Sequence, residues 1–367
     1  MPVVGLWLGL TITATLPLAS PGQTNQTAGF LWRDARDLGI EGKGWTDTKS
    51  FYDRLPARAE GLVTASVWGL SHHSAGMCVR FTSDATTIAA RWKLRNASLA
   101  MPHMPATGVS GVDLYVKARS GWRWLANGRP LQQAEEKVLV RGLEPGRREY
   151  LLYLPLYNGV EEVMLGVPTN SLLTTAPARS VKQKPILFYG TSILQGGCAS
   201  RPGTAYPSIL GRRLDWPTIN LGFSGSARCE PELAALFAEL DPVVYVLDPL
   251  ANMTADLVAE RFENFVLTLR RARPDTPIVL VENAKYPDED FLESKRRGIA
   301  GQNARLREIY ERLTKAGQKR LFYLRARDFL GADGEATVDG THPTDVGFLR
   351  MADAMEPTLK RALKAAR

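Results

Sequence analysis

Cysteine and histidine are scarce in this chain, and their scarcity limits the chemistry open to it. Only three cysteines occur, Cys78, Cys198 and Cys229. That excludes a dense disulfide framework and leaves at least one thiol free if the protein is exported. Cys198 and Cys229, both close to the motifs below, are the pair that could join. No CxxC or Cys/His ligand spacing is present, so a structural zinc site is not expected. Long apolar runs are missing as well, with one exception. Val3 to Leu18 is apolar, is short for a membrane span and is followed by small residues. It reads as a secretory signal peptide over residues 1–22, although no Lys or Arg precedes it; a buried strand or a lipid-facing anchor are the competing readings. A secreted or periplasmic protein without stable membrane insertion is expected. Blocks of like charge are absent too. The net charge of +8 is scattered, and its densest clusters, Lys295-Arg296-Arg297 and residues 360–367, fall in helical patterns that read as solvated faces. Without a basic stripe interleaved with aromatics, no nucleic-acid partner is expected. Internal repeats are not visible.

The residues that are present, 44% hydrophobic and 23% charged, form a globular composition and divide into two textures. From about Phe30 to Pro168, short strands follow one another. Examples are Leu62–Trp68, Met77–Phe81, Thr87–Trp92, Val112–Val116 and Tyr150–Leu154. Several alternate apolar and polar residues, the period of a strand with one buried face. No helical pattern interrupts them, so an all-β, jelly-roll-like sandwich is predicted over residues 29–170. The polar stretch over 171–184 reads as a linker.

Residues 185–367 alternate strand and helix. Apolar runs at Pro185–Tyr189, Thr218–Leu221, Val243–Leu247, Ile278–Val281 and Leu321–Leu324 fit parallel strands covered on both faces. Helical periodicity separates them at Asp256–Arg273, Ser294–Leu313 and Asp345–Leu363. The alternation predicts a doubly wound α/β sheet. Sites in such sheets lie at the carboxyl ends of the strands. The residues there are Gly190-Thr191-Ser192 after the first strand, Gly222 to Ser226 after the second, Asp248 to Met253 after the third, and Asp339-Gly340-Thr341-His342 near the end.

These residue types suit acyl transfer. A serine hydroxyl is a weak nucleophile until a base removes its proton. His342 alone among the four histidines lies in this half. Asp339, three residues upstream, can fix its tautomer. The N–H of Ser192, the N–H of Gly225 and the amide of Asn252 are candidate oxyanion donors, one such donor typically being worth about 3–4 kcal/mol in a transition state. Each residue has a plainer reading: a helix cap for Ser192, His342 and Asn252, and a tight turn for Asp339 and Gly225. His72, His73 and His103 read as sandwich surface. Alternatively the His73 and His103 loops lean over the crevice and shape a substrate pocket. Trp122 and Trp124 read as core or interface, with a sugar platform as the alternative.

Ser192, Gly225, Asn252 and His342, in that order at those strand ends, resemble the SGNH (GDSL-type) hydrolases from Lys184 onward. In the first part, His73-Ser74-Ala75-Gly76-Met77, Met101-Pro102-His103-Met104 and Gly111-Val112-Asp113-Leu114-Tyr115 resemble the GxDLY N-terminal domain that precedes some of those enzymes. The resemblance implies a flavodoxin-like catalytic domain, no metal or other cofactor, and ester hydrolysis, often of acetyl groups on carbohydrates. Two blocks depart from the pattern: Gly190-Thr191-Ser192 stands for Gly-Asp-Ser, and Leu250-Ala251-Asn252-Met253 for Gly-x-Asn-Asp. The expectation is a serine esterase with Ser192, His342 and Asp339 as triad and a small-molecule or polysaccharide ester as partner. A general arylesterase, lipase or thioesterase, or a non-catalytic carbohydrate-binding protein, are the rivals.

Overall fold

Strands with one apolar face are stable when two sheets close over each other, and the first half of the chain does this. The structure is a computed structural model describing residues 27, 29–179 and 183–366; the expected signal peptide at 1–22 lies outside the described residues. One antiparallel sheet has the order Phe30–Asp34, Val160–Pro168, Ile88–Leu94, Ala134–Val140. The other runs Leu173–Thr175, Cys78–Ser83, Arg148–Tyr153, Val112–Ala118, Gly121–Gly128. Between them Phe81, Trp92, Leu114, Leu152, Val163 and Leu165 share one core.

Two expectations for this half are corrected. Leu62–Trp68 is not a strand, and the half is not free of helices: Ala65–Ser71 is a helix, capped by Thr64, whose hydroxyl accepts from Val67 N at 3.3 Å. Val63, just before the cap, and Val67, inside the helix, both join the core of the second half. A run this short satisfies either period, and the tertiary partner decides. The stretch read as linker contributes a sandwich strand, because Leu173 is buried and Leu173–Thr175 pairs with Phe81–Ser83. In the second half, the pairing of Cys198 and Cys229 that the sequence left open is not formed. All three cysteines are free and buried.

The second half is a five-stranded parallel sheet. Its strands are β1 (Ile186–Gly190), β2 (Thr218–Gly222), β3 (Val244–Asp248), β4 (Ile278–Val281) and β5 (Leu321–Leu324). Their order, β2-β1-β3-β4-β5, is the flavodoxin-like one. Every residue of β1 and β2 is buried, as the apolar runs require. The covering helices are α1 (Ser192–Gln195), α2 (Tyr206–Leu214), α3 (Pro231–Glu239), α4 (Ala255–Ala272), α5 (Glu293–Lys315) and α6 (Asp345–Ala365). Gly190 is in register with Gly222 on one side and Asp248 on the other. The loops after β1, β2 and β3 therefore emerge side by side, where β1 stands between strands wound in opposite directions.

The two halves interlock. Trp45, Leu55, Val63 and Val67 from the first lie in one core with Tyr189, Leu221 and Phe237 from the second. The Arg54 guanidinium, 2% exposed, donates to Gly222 O at 2.7 Å, Asn220 O at 3.1 Å and Leu70 O at 2.7 Å.

Candidate active site

The buried strand β1 ends at Gly190, and Thr191 turns the chain into α1 by accepting from Ile193 N at 3.3 Å. Ser192 is thus the first helical residue, where a backbone N–H has no partner within the helix. Its side chain meets His342: Ser192 Oγ lies 2.9 Å from His342 Nε2. The imidazole is held from behind, with Nδ1 2.7 Å from Asp339 Oδ2.

The local sequence explains how Asp339 reaches the ring. Gly340 adopts φ +81°, and the turn lets Asp339 Oδ1 accept from His342 N at 2.8 Å and Thr341 N at 3.1 Å. Burial alone would raise the Asp339 carboxyl. The hydrogen bonds from His342 and Thr341 and the charge of His342 outweigh it and hold the group below its ordinary value. It stays ionised and keeps Nδ1 as the ring's N–H donor, which leaves Nε2 bare toward the serine. Thr344, not His342, caps α6, its hydroxyl accepting from Gly347 N at 3.3 Å.

The candidate oxyanion donors surround the same strand ends. Gly225 sits at φ +67° in the turn after β2, with open space where a side chain would stand. No described residue accepts from its N–H. Asn252 follows β3 on the short turn Leu250–Asn252. Its amide is satisfied when Oδ1 accepts from Ser226 N at 3.2 Å and Ala227 N at 3.3 Å, with Nδ2 turned to the opposite side. Asp248, given no role from the sequence, is a half-buried carboxyl pushed up to about 7 by desolvation, and it accepts from Tyr206 Oη at 2.8 Å.

The sandwich histidines separate. His103 is exposed, and its ring centroid lies 5.6 Å from that of His342. His73 lies beneath the site: its Nδ1 accepts from Gln195 Nε2 at 3.0 Å. Burial, then the charge of Arg54, push this imidazole down to about 3, so it is neutral. His72 packs edge-on against Trp68. Trp122 bridges the halves, whereas Trp124 is half exposed and bonds within the sandwich. Their ring N–H groups donate to Asp215 at 3.2 Å and Asp113 at 2.9 Å.

Four residues that sequence reasoning left without a role touch the site. Gln195 Oε1 accepts from Ser224 N at 3.2 Å, joining α1 to the turn that carries Gly225. Tyr157 Oη donates to Ser192 O at 3.0 Å. Gly197 leaves room for the His342 ring: a Cβ there would stand 3.0 Å from His342 Cδ2. Cys198, one nitrogen of His103 and one of His342 lie within 4.8 Å of one another. The pair of glycines after α1 was the one local signal; the rest are contacts between distant segments.

A doubly wound sheet carrying a hydroxyl, imidazole and carboxylate in hydrogen-bonded series at its carboxyl edge defines this protein as a carboxylic ester hydrolase. It belongs to the GDSL-like lipase/acylhydrolase family, whose model matches residues 183–360, while residues 30–173 match the N-terminus of Esterase_SGNH_hydro-type proteins. A structure described as a GDSL-like lipase from Bacteroides ovatus ATCC 8483 is 34% identical, with TM-score 0.86 over 91% of this chain and 98% of that one. A salicylyl-acyltransferase from a tetracycline biosynthetic pathway shares the fold at 19% identity and TM-score 0.68, covering 92% of this chain and 96% of its own. So does an acetyl xylan esterase from Butyrivibrio proteoclasticus, at 14% identity and TM-score 0.55, over 92% and 99%. No match was found among curated proteins. Among the described residues, no helix is long and apolar enough to cross a membrane.

Proposed function

We propose that the protein is a serine esterase in which Ser192 is the nucleophile, His342 the general base and Asp339 the group that orients it, acting on O-acetyl groups of carbohydrates. The observation that carries the reading is the unbroken series from Ser192 Oγ through His342 Nε2, 2.9 Å away, to Asp339 Oδ2, 2.7 Å from Nδ1. His342 takes the hydroxyl proton as Ser192 Oγ attacks the ester carbonyl. The N–H groups of Ser192 and Gly225 and the Asn252 amide donate to the developing oxyanion. His342 then gives its proton to the leaving alcohol, and a water deprotonated by the same ring releases the acid and regenerates the serine.

Removing the nucleophile tests the chemistry. Ser192→Ala is expected to lower kcat/KM on p-nitrophenyl acetate by at least about 10³-fold, with an unchanged circular dichroism spectrum. Turnover like that of the wild type would eliminate the assignment. The acetyl and carbohydrate part of the reading is supported by the appended sandwich and by a fold shared with carbohydrate esterases. Acetate release from xylan, pectin, xyloglucan and chitin oligomers tests it, and preference for long acyl chains over all of these would replace it with the lipase reading. Export is the matching proposal for location, motivated by the apolar opening Val3 to Leu18. Expression of the full chain, with activity assayed in the medium and periplasm against the cytosol, decides it.

A further inference from the structure

We propose that His103, Cys198 and His342 form a binding site for a soft divalent cation of the zinc type, and that its occupancy switches off the esterase by claiming the lone pair of the base. The inhibitory half rests on the triad reading above; the metal site itself does not.

One nitrogen of each imidazole and Cys198 Sγ already lie within 4.8 Å of one another. Tetrahedral zinc with bonds of about 2.0–2.3 Å holds such donors about 3.3–3.7 Å apart, so the three must close by roughly 1 Å. His103 is free to make most of that movement. It stands exposed at the tip of a two-residue turn, between Met101 and Met104, which exchange backbone hydrogen bonds of 3.0 and 3.1 Å. The other two donors are prearranged. Cys198 is held at φ +71°, a backbone region a non-glycine residue enters only under constraint, and its side chain lies against His342. His342 has Nδ1 engaged by Asp339, the outer-sphere carboxylate that commonly fixes a histidine ligand and leaves its other nitrogen bare.

The donor set decides the class of ion. A thiol and two imidazoles suit zinc or its cobalt substitute and are poor ligands for magnesium or calcium, which take oxygen. On binding, the Cys198 S–H proton passes to solvent, a sulfur–metal bond forms, and each imidazole contributes a nitrogen lone pair. No electron is transferred. The thiolate and the nearby Asp339 carboxylate offset the dipositive charge. His342 Nε2 cannot both hold a metal and take the Ser192 proton, so binding and hydrolysis exclude each other. The site is invisible to spacing rules because its donors come from three distant segments.

Cobalt titration of the purified full chain tests the site. One equivalent of Co²⁺ is expected to produce the near-ultraviolet charge-transfer band of a cobalt–thiolate bond. Cys198→Ala is expected to abolish it, although Cys78 and Cys229 remain, and His103→Ala to weaken binding. In parallel, Zn²⁺ should inhibit hydrolysis reversibly, a chelator restoring full rate. Cys198→Ala, active in chelator, should need at least about tenfold more Zn²⁺ for half-inhibition. Absence of the band, or an inhibition constant unmoved by Cys198→Ala, overturns the proposal. A wild type that binds cobalt through Cys198 yet hydrolyses no ester in chelator would keep the site and sink the esterase reading instead.

Discussion

Gly197 occupies a position where any side chain would press on the base. An added Cβ would stand 3.0 Å from His342 Cδ2, 3.0 Å from Tyr157 Oη and 3.1 Å from Ser192 O. Backbone conformation does not demand glycine there; the imidazole does. Gly197→Ala is expected to push the ring by a few tenths of an ångström and lower kcat about tenfold with little change in KM, since misplacement of about 1 Å can cost 10²-fold. Steady-state kinetics check the split, and an unchanged kcat would mean that the ring tolerates the displacement. His73 acts through a proton instead. The unfolded chain protonates this ring below its ordinary value of 6.5, whereas the folded one does so only near 3. Across that window the unfolded state binds more protons, so stability is complete above it and is lost as the pH falls. The loss from this group is about 1.4 kcal/mol per pH unit below 6. His73→Gln should therefore show a flatter decline in urea midpoint between pH 6.5 and 4 than the wild type. Parallel declines would show that the folded protein protonates His73 as readily as the unfolded chain does.

At the level of elements, the motif Gly111-Val112-Asp113-Leu114-Tyr115 grips the segment that follows the nucleophile. Asp113 is fully buried, and its Oδ2 accepts from Arg201 Nη1 at 2.9 Å and Gly203 N at 2.9 Å. Arg201 also donates to Tyr115 Oη at 2.6 Å. Breaking a buried pair leaves an uncompensated charge, so Asp113→Asn is expected to cost about 3 kcal/mol in chemical denaturation, and a loss below 0.5 kcal/mol would show the pair to be dispensable. The strands and helices were legible in the sequence wherever a long apolar period made only one structure possible, as in α4, expected at Asp256–Arg273 and found at Ala255–Ala272. The meeting of Ser192, His342 and Asp339 was legible for a different reason. Two partners are three residues apart, and the third ends a buried strand. Where a seven-residue run such as Leu62–Trp68 fits two periods, the neighbouring core chose. Tyr157, Gln195 and Arg54 could not be read at all, because each is defined by a backbone group or side chain that only the assembled fold brings near.

The whole molecule behaves as one cooperative body if its cores are truly shared. Leu55 is fully buried, comes from the sandwich half, and packs in the same cluster as Leu187, Leu221 and Phe237 of the parallel sheet. Arg54 beside it, a cation lowered to about 9 by burial, spends its guanidinium on the carbonyls that end β2. The turn carrying Gly225 starts from that strand end, so the sandwich half buttresses a candidate oxyanion donor as well as covering the sheet. Separate unfolding of either half would strand this cation and expose Trp45, Leu55, Val63 and Val67, a cost that couples the two transitions. Leu55→Ala is expected to cost about 2–4 kcal/mol. In full-length protein it should lower a single calorimetric transition, with hydrolytic activity lost at the same temperature. If the variant instead splits the endotherm in two, with activity surviving the first step, the halves fold independently and the sandwich would be an appended module rather than part of the catalytic body.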